Sequence, residues 1–125
     1  MEDLIIRKSK NTPLIEFLTN GNLRIEGRSI AENPVKFYKE AFTWLKEYHQ
    51  SCPKKTVLHI NLEYFNTSSS ISILKILRKL SQLSKIGFEV QIHWYSSEDD
   101  FEMKETGGYY EKLARLPFQY HEVPQ

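Results

Sequence analysis

The stretch TVLHINLEYFNTSSSISILKILRKLSQLSKIGFEVQIHWY, residues 56–95, decides the fold. Leu58, Ile60 and Leu62 alternate with Val57, His59 and Asn61, the two-residue period of a strand, and the run reads as central or nearly central in a sheet. A hydroxyl cluster, Asn66-Thr67-Ser68-Ser69-Ser70, then opens a long amphipathic pattern closed by Gly87. Ile73, Ile76, Leu77, Leu80 and Leu83 make its inward stripe, with Lys75, Arg78, Lys79, Gln82 and Lys85 facing outward. Phe88, Val90, Ile92 and Trp94 next alternate with Glu89, Gln91, His93 and Tyr95. Strand, helix and strand in this order leave room for a right-handed crossover, which makes the two strands parallel and the domain a layered α/β structure.

Upstream, Asn33-Pro34 supplies a cap and a proline tolerated in a first helical turn. Phe37, Ala41, Trp44, Leu45 and Tyr48 follow at helical spacing, with Lys36, Lys39, Glu40, Lys46 and Glu47 on the other faces, until Pro53 and the SCPKK turn stop the helix. Before it, TPLIEFLTNGNLRIEG pairs two apolar-rich runs around Asn20-Gly21, which predicts a hairpin with a type I′ turn ending near Gly27. Downstream, the acid-rich segment from Ser96 to Leu116 is expected to form one irregular or broken helix, interrupted at Gly107-Gly108. A short edge strand is expected from Pro117 to Val123. The expectation is one α/β domain over residues 1–125, a mixed sheet with an N-terminal hairpin and covering helices.

Composition narrows the function classes. The 125 residues include 17 basic and 16 acidic side chains, a formal charge of +1 that provides no global field for DNA or an anionic membrane. Apolar residues make up 40% and charged residues 26%, a globular balance. The near-neutral total conceals a basic face, because no acidic residue lies between Glu63 and Glu89. One cysteine, Cys52, excludes an intrachain disulfide and a cysteine cluster for structural zinc and fits a reducing compartment. The N-terminus shows only the short apolar run Leu4-Ile5-Ile6, without a signal-peptide pattern, and no stretch reaches the roughly 20 apolar residues that span a bilayer. A cytoplasmic protein without membrane insertion is expected.

The hydroxyl cluster carries the chemistry. Any of its side chains can cap the following helix. A phosphate placed there carries about −1.5 to −2 charge, accepts backbone hydrogen bonds and is favoured by the positive end of the helix, so a neutral docking point can become a repulsive one. Such a switch needs no catalytic base in this chain, since a kinase and a phosphatase supply the chemistry.

The blocks IEGRSIAENPVKFYKEAFTWLKEY, NLEYFNTSSSISILKIL, WYSSEDDFEMKETG and LPFQYHE cover almost the whole chain, and YFNTSS is the most specific. With them the sequence resembles the SiaC family of bacterial regulatory phosphoproteins. The resemblance implies a fold similar to the STAS-like anti-sigma-factor antagonists and a role in partner switching. It implies a serine/threonine kinase of histidine-kinase-like fold, a PP2C-type phosphatase and an effector such as a diguanylate cyclase, linking the switch to cyclic-di-GMP and biofilm behaviour. By position in the motif the phosphoacceptor is Thr67, with Ser68 as the alternative. Tyr64, Phe65, Asn66, Ser68, Ser69, Lys75 and Arg78 are the candidates for partner contact; packing and capping are the ordinary roles of the first five, and a solvated helix face that of the two basic residues. No cofactor, metal or nucleic acid is expected.

Other chemistries have less support. A hydrolase needs a nucleophile and a positioned base, but no glycine-bearing nucleophile elbow surrounds the serines, and His59 and His93 fall at alternate strand positions. His49 and Cys52 form an isolated H-x-x-C pair, and the acidic run from Glu98 to Glu105 lacks the EF-hand ligand pattern. A nucleic-acid-binding module draws on the basic helix and the abundant Tyr and Phe, but no recognised RNA or DNA motif accompanies them.

Overall fold

The computed structural model describes residues 1–51 and 55–124. Its elements are β1 (Leu4–Ile6), β2 (Leu14–Phe17), β3 (Asn22–Ser29), α1 (Pro34–Gln50), β4 (Lys55–Phe65), α2 (Thr67–Lys85), β5 (Glu89–Ser97), α3 (Phe101–Ala114) and β6 (Phe118–Val123). The six strands stand in sequence order, antiparallel from β1 to β3 and parallel from β3 to β6. The central β4 and the parallel β4–β5 pair agree with the reading of residues 56–95. Cys52 and Pro53, read above as half of a ligand pair and as a helix stop, lie outside the described residues.

Each helix joins neighbouring parallel strands, and crossovers of one hand put all three on the same face of the sheet. Burial shows that face directly. Phe17, Leu23, Ile25, Leu58, Ile60, Ile92 and Trp94 are buried, whereas their alternates Glu16, Arg24, His59, Asn61, His93 and Tyr95 are half-buried or exposed. The molecule is therefore a two-layer domain with one open sheet face. Each fully buried Leu or Ile in the covered layer contributes roughly 1.5–3 kcal/mol.

Three local expectations are corrected. The hairpin turn is not type I′: Asn20 keeps a negative φ, and only Gly21 is positive, at +97°. Gly21 N–H donates to Leu18 O at 3.0 Å and Leu18 N–H to Asn22 O at 3.0 Å, the pattern of a three-residue loop closed by a glycine. A Cβ on Gly21 would lie 2.1 Å from the Lys55 carbonyl oxygen, so both the turn and the neighbouring strand require glycine. Next, β3 does not end at Gly27 but continues to Ser29, past a register shift in which Glu63 of β4 is the extra residue. Finally, α3 is unbroken through Gly107 and Gly108. Gly107 faces Trp94, where a Cβ would come within 2.6 Å of the indole, so this glycine allows close packing of an intact helix.

In α1, Asn33 Oδ1 accepts the Lys36 N–H at 3.1 Å, as the Asn-Pro start predicts. Its inner face differs by one residue, with Tyr38 fully buried and Phe37 half-buried edge-on against it at 4.9 Å. Tyr38 turns inward because its hydroxyl has a buried partner, Ser29 Oγ, at 2.7 Å. Burial pushes its phenol up to about 12.

Candidate functional site

The hydroxyl cluster sits at the edge of the sheet where the parallel strands end. A bulge in β4 beside Gly27, where Glu63 is the extra residue, sets its position by shifting the register, so that Arg28 pairs with Tyr64 and Ser29 with Phe65. Asn66 N–H then donates to Ser29 O at 3.1 Å, fixing the residue that starts α2. Asn66 is the cap: its Oδ1 accepts the Ser69 N–H at 2.9 Å, and its carbonyl accepts the Ser70 N–H at 3.0 Å. The amides of Thr67 and Ser68 come before Ser70 N–H, the first donor of the helical ladder, and so remain available to an added anion.

The hydroxyls are not equivalent. Ser69 is fully buried and its Oγ has no hydrogen-bond partner among the described residues; burial removes it from enzyme access and corrects its assignment as a contact residue. Ser70 is half-buried and donates to Thr67 O at 2.5 Å. Ser68 is exposed, but its hydroxyl points back to Asn66 Oδ1 at 3.3 Å. Thr67 is exposed at the first helical position, and its hydroxyl has no partner among the described residues.

Phe65 is half-buried, with its ring edge-on to Trp94 at 6.4 Å and tilted against Tyr110 at 6.0 Å, so its role includes packing. Trp94 also stacks on Phe118 at 5.9 Å and donates from Nε1 to Met103 O at 2.9 Å. Tyr110 reaches from α3 to the first turn of α2 and donates to Ser70 O at 3.3 Å. Its phenol is raised above the ordinary value, chiefly by burial. This aromatic cluster lies behind the cap and ties α3 to the segment bearing Thr67.

Tyr64, by contrast, is 52% exposed. Val35, Ile71 and Phe101, near the starts of α1, α2 and α3, are exposed as well. Since all three helices begin after the same ends of parallel strands, these side chains lie along one rim with Thr67. The sequence does not reveal this rim, because its members are scattered along the chain and come together only through the topology. Lys75 and Arg78 are exposed further along α2, about 12 and 17 Å from Thr67 by helical rise.

The histidines occupy a different place. His59, His93 and His121 stand in a row on the open sheet face, with ring centroids 4.8 and 5.0 Å apart and nearly parallel planes. His59 Nδ1 meets Tyr95 Oη at 2.8 Å, and His93 Nδ1 shares a hydrogen bond with His121 Nε2 at 2.7 Å. His59 borders an open pocket, but the hydroxyl it reaches there is the phenol of Tyr95 and not a serine. Asn66, just after β4, lies seven residues beyond His59, about 23 Å of extended chain, so imidazole and serine cluster share no site. Among the described residues no group of three or more His, Cys, Asp or Glu could hold a metal ion, and no helix is long and apolar enough to cross a membrane.

The molecule is thus a two-layer α/β domain with an exposed threonine at the first position of a capped helix. The family model for the SiaC family regulatory phosphoproteins matches residues 6–123, and the chain belongs to that family. An uncharacterised protein of Pseudomonas aeruginosa (strain UCBPP-PA14) is 25% identical over 119 residues, spanning 94% of both chains. The crystal structure of apo-SiaC from P. aeruginosa aligns with a TM-score of 0.88 at 25% identity, covering 98% of this chain and all of that one. A crystal structure of the P. aeruginosa diguanylate cyclase SiaD with its activator SiaC aligns with a TM-score of 0.91 at 24% identity, covering 97% of this chain and all of the matched one.

Proposed function

We propose that this protein is a partner switch of the cytoplasm, set by reversible phosphorylation of Thr67. The observation that carries this reading is the exposed, unpartnered Thr67 hydroxyl at the first position of α2, in a chain of a regulatory phosphoprotein family. A serine/threonine kinase of histidine-kinase-like fold adds the phosphate and a PP2C-type phosphatase removes it. The unphosphorylated protein binds and activates a diguanylate cyclase, coupling the switch to cyclic-di-GMP output and biofilm behaviour. Support for that output comes from the related SiaC, the activator in the SiaD complex. The chain itself serves as substrate and ligand and performs no catalysis.

Thr67 is favoured over Ser68 for a structural reason. Ser68 must give up its bond to Asn66 Oδ1 before reacting, whereas the Thr67 hydroxyl bonds to none of the described residues. The phosphate formed on Thr67 lies beside the free amides of the first turn, where the helix dipole stabilises it by about 0.3–1 kcal/mol. Its larger effect is on the rim, where −1.5 to −2 charge arrives among Tyr64, Ile71 and Phe101 and opposes an apolar contact. The test is phosphosite mapping after reaction with the kinase from the same genome. Modification confined to Thr67 is expected; modification elsewhere, with Thr67 untouched, refutes the assignment.

A further inference from the structure

Helices α1 and α2 lie side by side and leave an open groove of about 450 Å³ between them. Val35, Lys39, Phe42 and Lys46 line it from α1, and Ser72 and Lys75 from α2. Its apolar surface is the floor made by Phe42, half-buried against the core, and Val35 at the mouth, 70% exposed. The rim is cationic, with Lys39, Lys46 and Lys75 exposed and none of them ion-paired with a described residue. No carboxylate is among the described lining residues. Lys75 of the basic face read from α2 is thus joined at this groove by two lysines of α1.

An apolar floor between unpaired ammonium groups complements a helix whose apolar stripe is flanked by carboxylates. We propose that the α1–α2 groove receives an acidic amphipathic helix of a protein partner. The helix buries its stripe on Val35 and Phe42, and its carboxylates relieve the mutual repulsion of the three lysines. The inference rests on the partner-binding reading and adds where the partner sits and what chemistry it presents. It also gives the switch a route of action. Ser72 is five residues from Thr67, about 8 Å along the helix, which is close to one Debye length in physiological salt. A phosphate on Thr67 therefore lowers the positive potential at that end of the groove and weakens the attraction for an acidic helix.

The test uses the full chain, 15N-labelled and titrated with a stapled 20-residue peptide whose leucines follow helical spacing and whose flanking positions are glutamate. A scrambled peptide of the same composition and one with lysine for glutamate serve as controls. The expected result is a set of amide shifts centred on α1 and α2 around the groove. Affinity is expected to fall at least tenfold in the Lys39→Glu, Lys46→Glu, Lys75→Glu triple variant and less in the corresponding triple Gln variant, with circular dichroism confirming both folds. Absence of shifts, shifts centred on the open sheet face, equal binding of the scrambled peptide, or undiminished affinity in the triple variants overturns the proposal. Kinase mapping of Thr67 is read independently, so failure of the phosphorylation reading is distinguishable from failure of the groove.

Discussion

Substituting Gly107 and its neighbour Gly108 by alanine, one at a time, sets helix propensity against packing. Alanine replaces glycine within an unbroken helix in both cases, a change that by itself stabilises by about 1 kcal/mol. At Gly108 the new methyl meets nothing within 4 Å, so that gain is kept. At Gly107 the methyl lies 2.6 Å from Trp94 Cδ1 and Nε1 and 2.9 Å from Cγ. Ordinary carbon contacts need about 3.5–4 Å, so α3 must retreat by about 1 Å or the indole must turn. Either movement disturbs the Trp94 Nε1 bond to Met103 O and the packing on Phe65, Tyr110 and Phe118. Overpacking costs about 1–3 kcal/mol and the impaired hydrogen bond about 1 kcal/mol. After the propensity gain, Gly107→Ala is expected to be about 1–3 kcal/mol less stable than the parent. At roughly 4 °C per kcal/mol for a domain of this size, Tm falls by about 4–12 °C, whereas Gly108→Ala raises it by about 4 °C. Thermal unfolding by far-ultraviolet circular dichroism reads the difference, and near-ultraviolet spectra report on Trp94. A Gly107→Ala variant as stable as Gly108→Ala refutes the close approach of α3 to Trp94.

Other perturbations separate the cap, the acceptor and the imidazole row. Asn66→Ala removes the oxygen that accepts Ser69 N–H and is expected to cost about 1 kcal/mol, with Asn66→Asp retaining most of it, measured by urea denaturation. Thr67→Ala is expected to change stability by less than about 0.5 kcal/mol while abolishing kinase labelling, read by intact-mass spectrometry. Ser69→Ala removes a buried hydroxyl without a partner, so its chemical denaturation midpoint should equal or exceed that of the parent. Burial, then the charges of Arg24 and His121, lowers the His59 pKa against an opposing Glu26, while burial, His59 and His121 lower that of His93. The folded protein therefore binds these protons less well than the unfolded chain. The associated stability is complete above the ordinary value of 6.5 and is lost as pH falls through the lowered folded values. Tm is expected to drop between pH 7 and pH 5, with a smaller drop in His59→Gln or His93→Gln.

The elements that sequence revealed best are those whose burial repeats. In β4, α2 and β5, dense apolar periodicity specifies both element and inward face, and Ile73, Ile76, Leu77, Leu80 and Leu83 are all buried as their spacing predicts. β1 was legible only as an apolar run, because three residues hold too little periodicity to distinguish a strand. Gly107-Gly108 suggested a break because glycine weakens an isolated helix, but the indole that requires Gly107 belongs to β5, and only tertiary structure joins them. The Asn20-Gly21 pair correctly marks a hairpin, yet its loop has three residues with Gly21 alone at positive φ, and the pair by itself does not set the loop length. In the candidate site, the hydroxyl block is visible locally, but which of its side chains caps the helix is not. The inaccessibility of Ser69, the packing of Phe65 and the meeting of α1 lysines with Lys75 required the folded neighbours.

The central claim is that phosphate on Thr67 changes which protein this chain holds, and affinity for a diguanylate cyclase from the same genome tests it most directly. Titration calorimetry with unphosphorylated protein, and with protein stoichiometrically phosphorylated at Thr67, gives the two dissociation constants. The account predicts tight binding of the unphosphorylated form and at least tenfold weaker binding after phosphorylation. Equal affinity in the two states contradicts it.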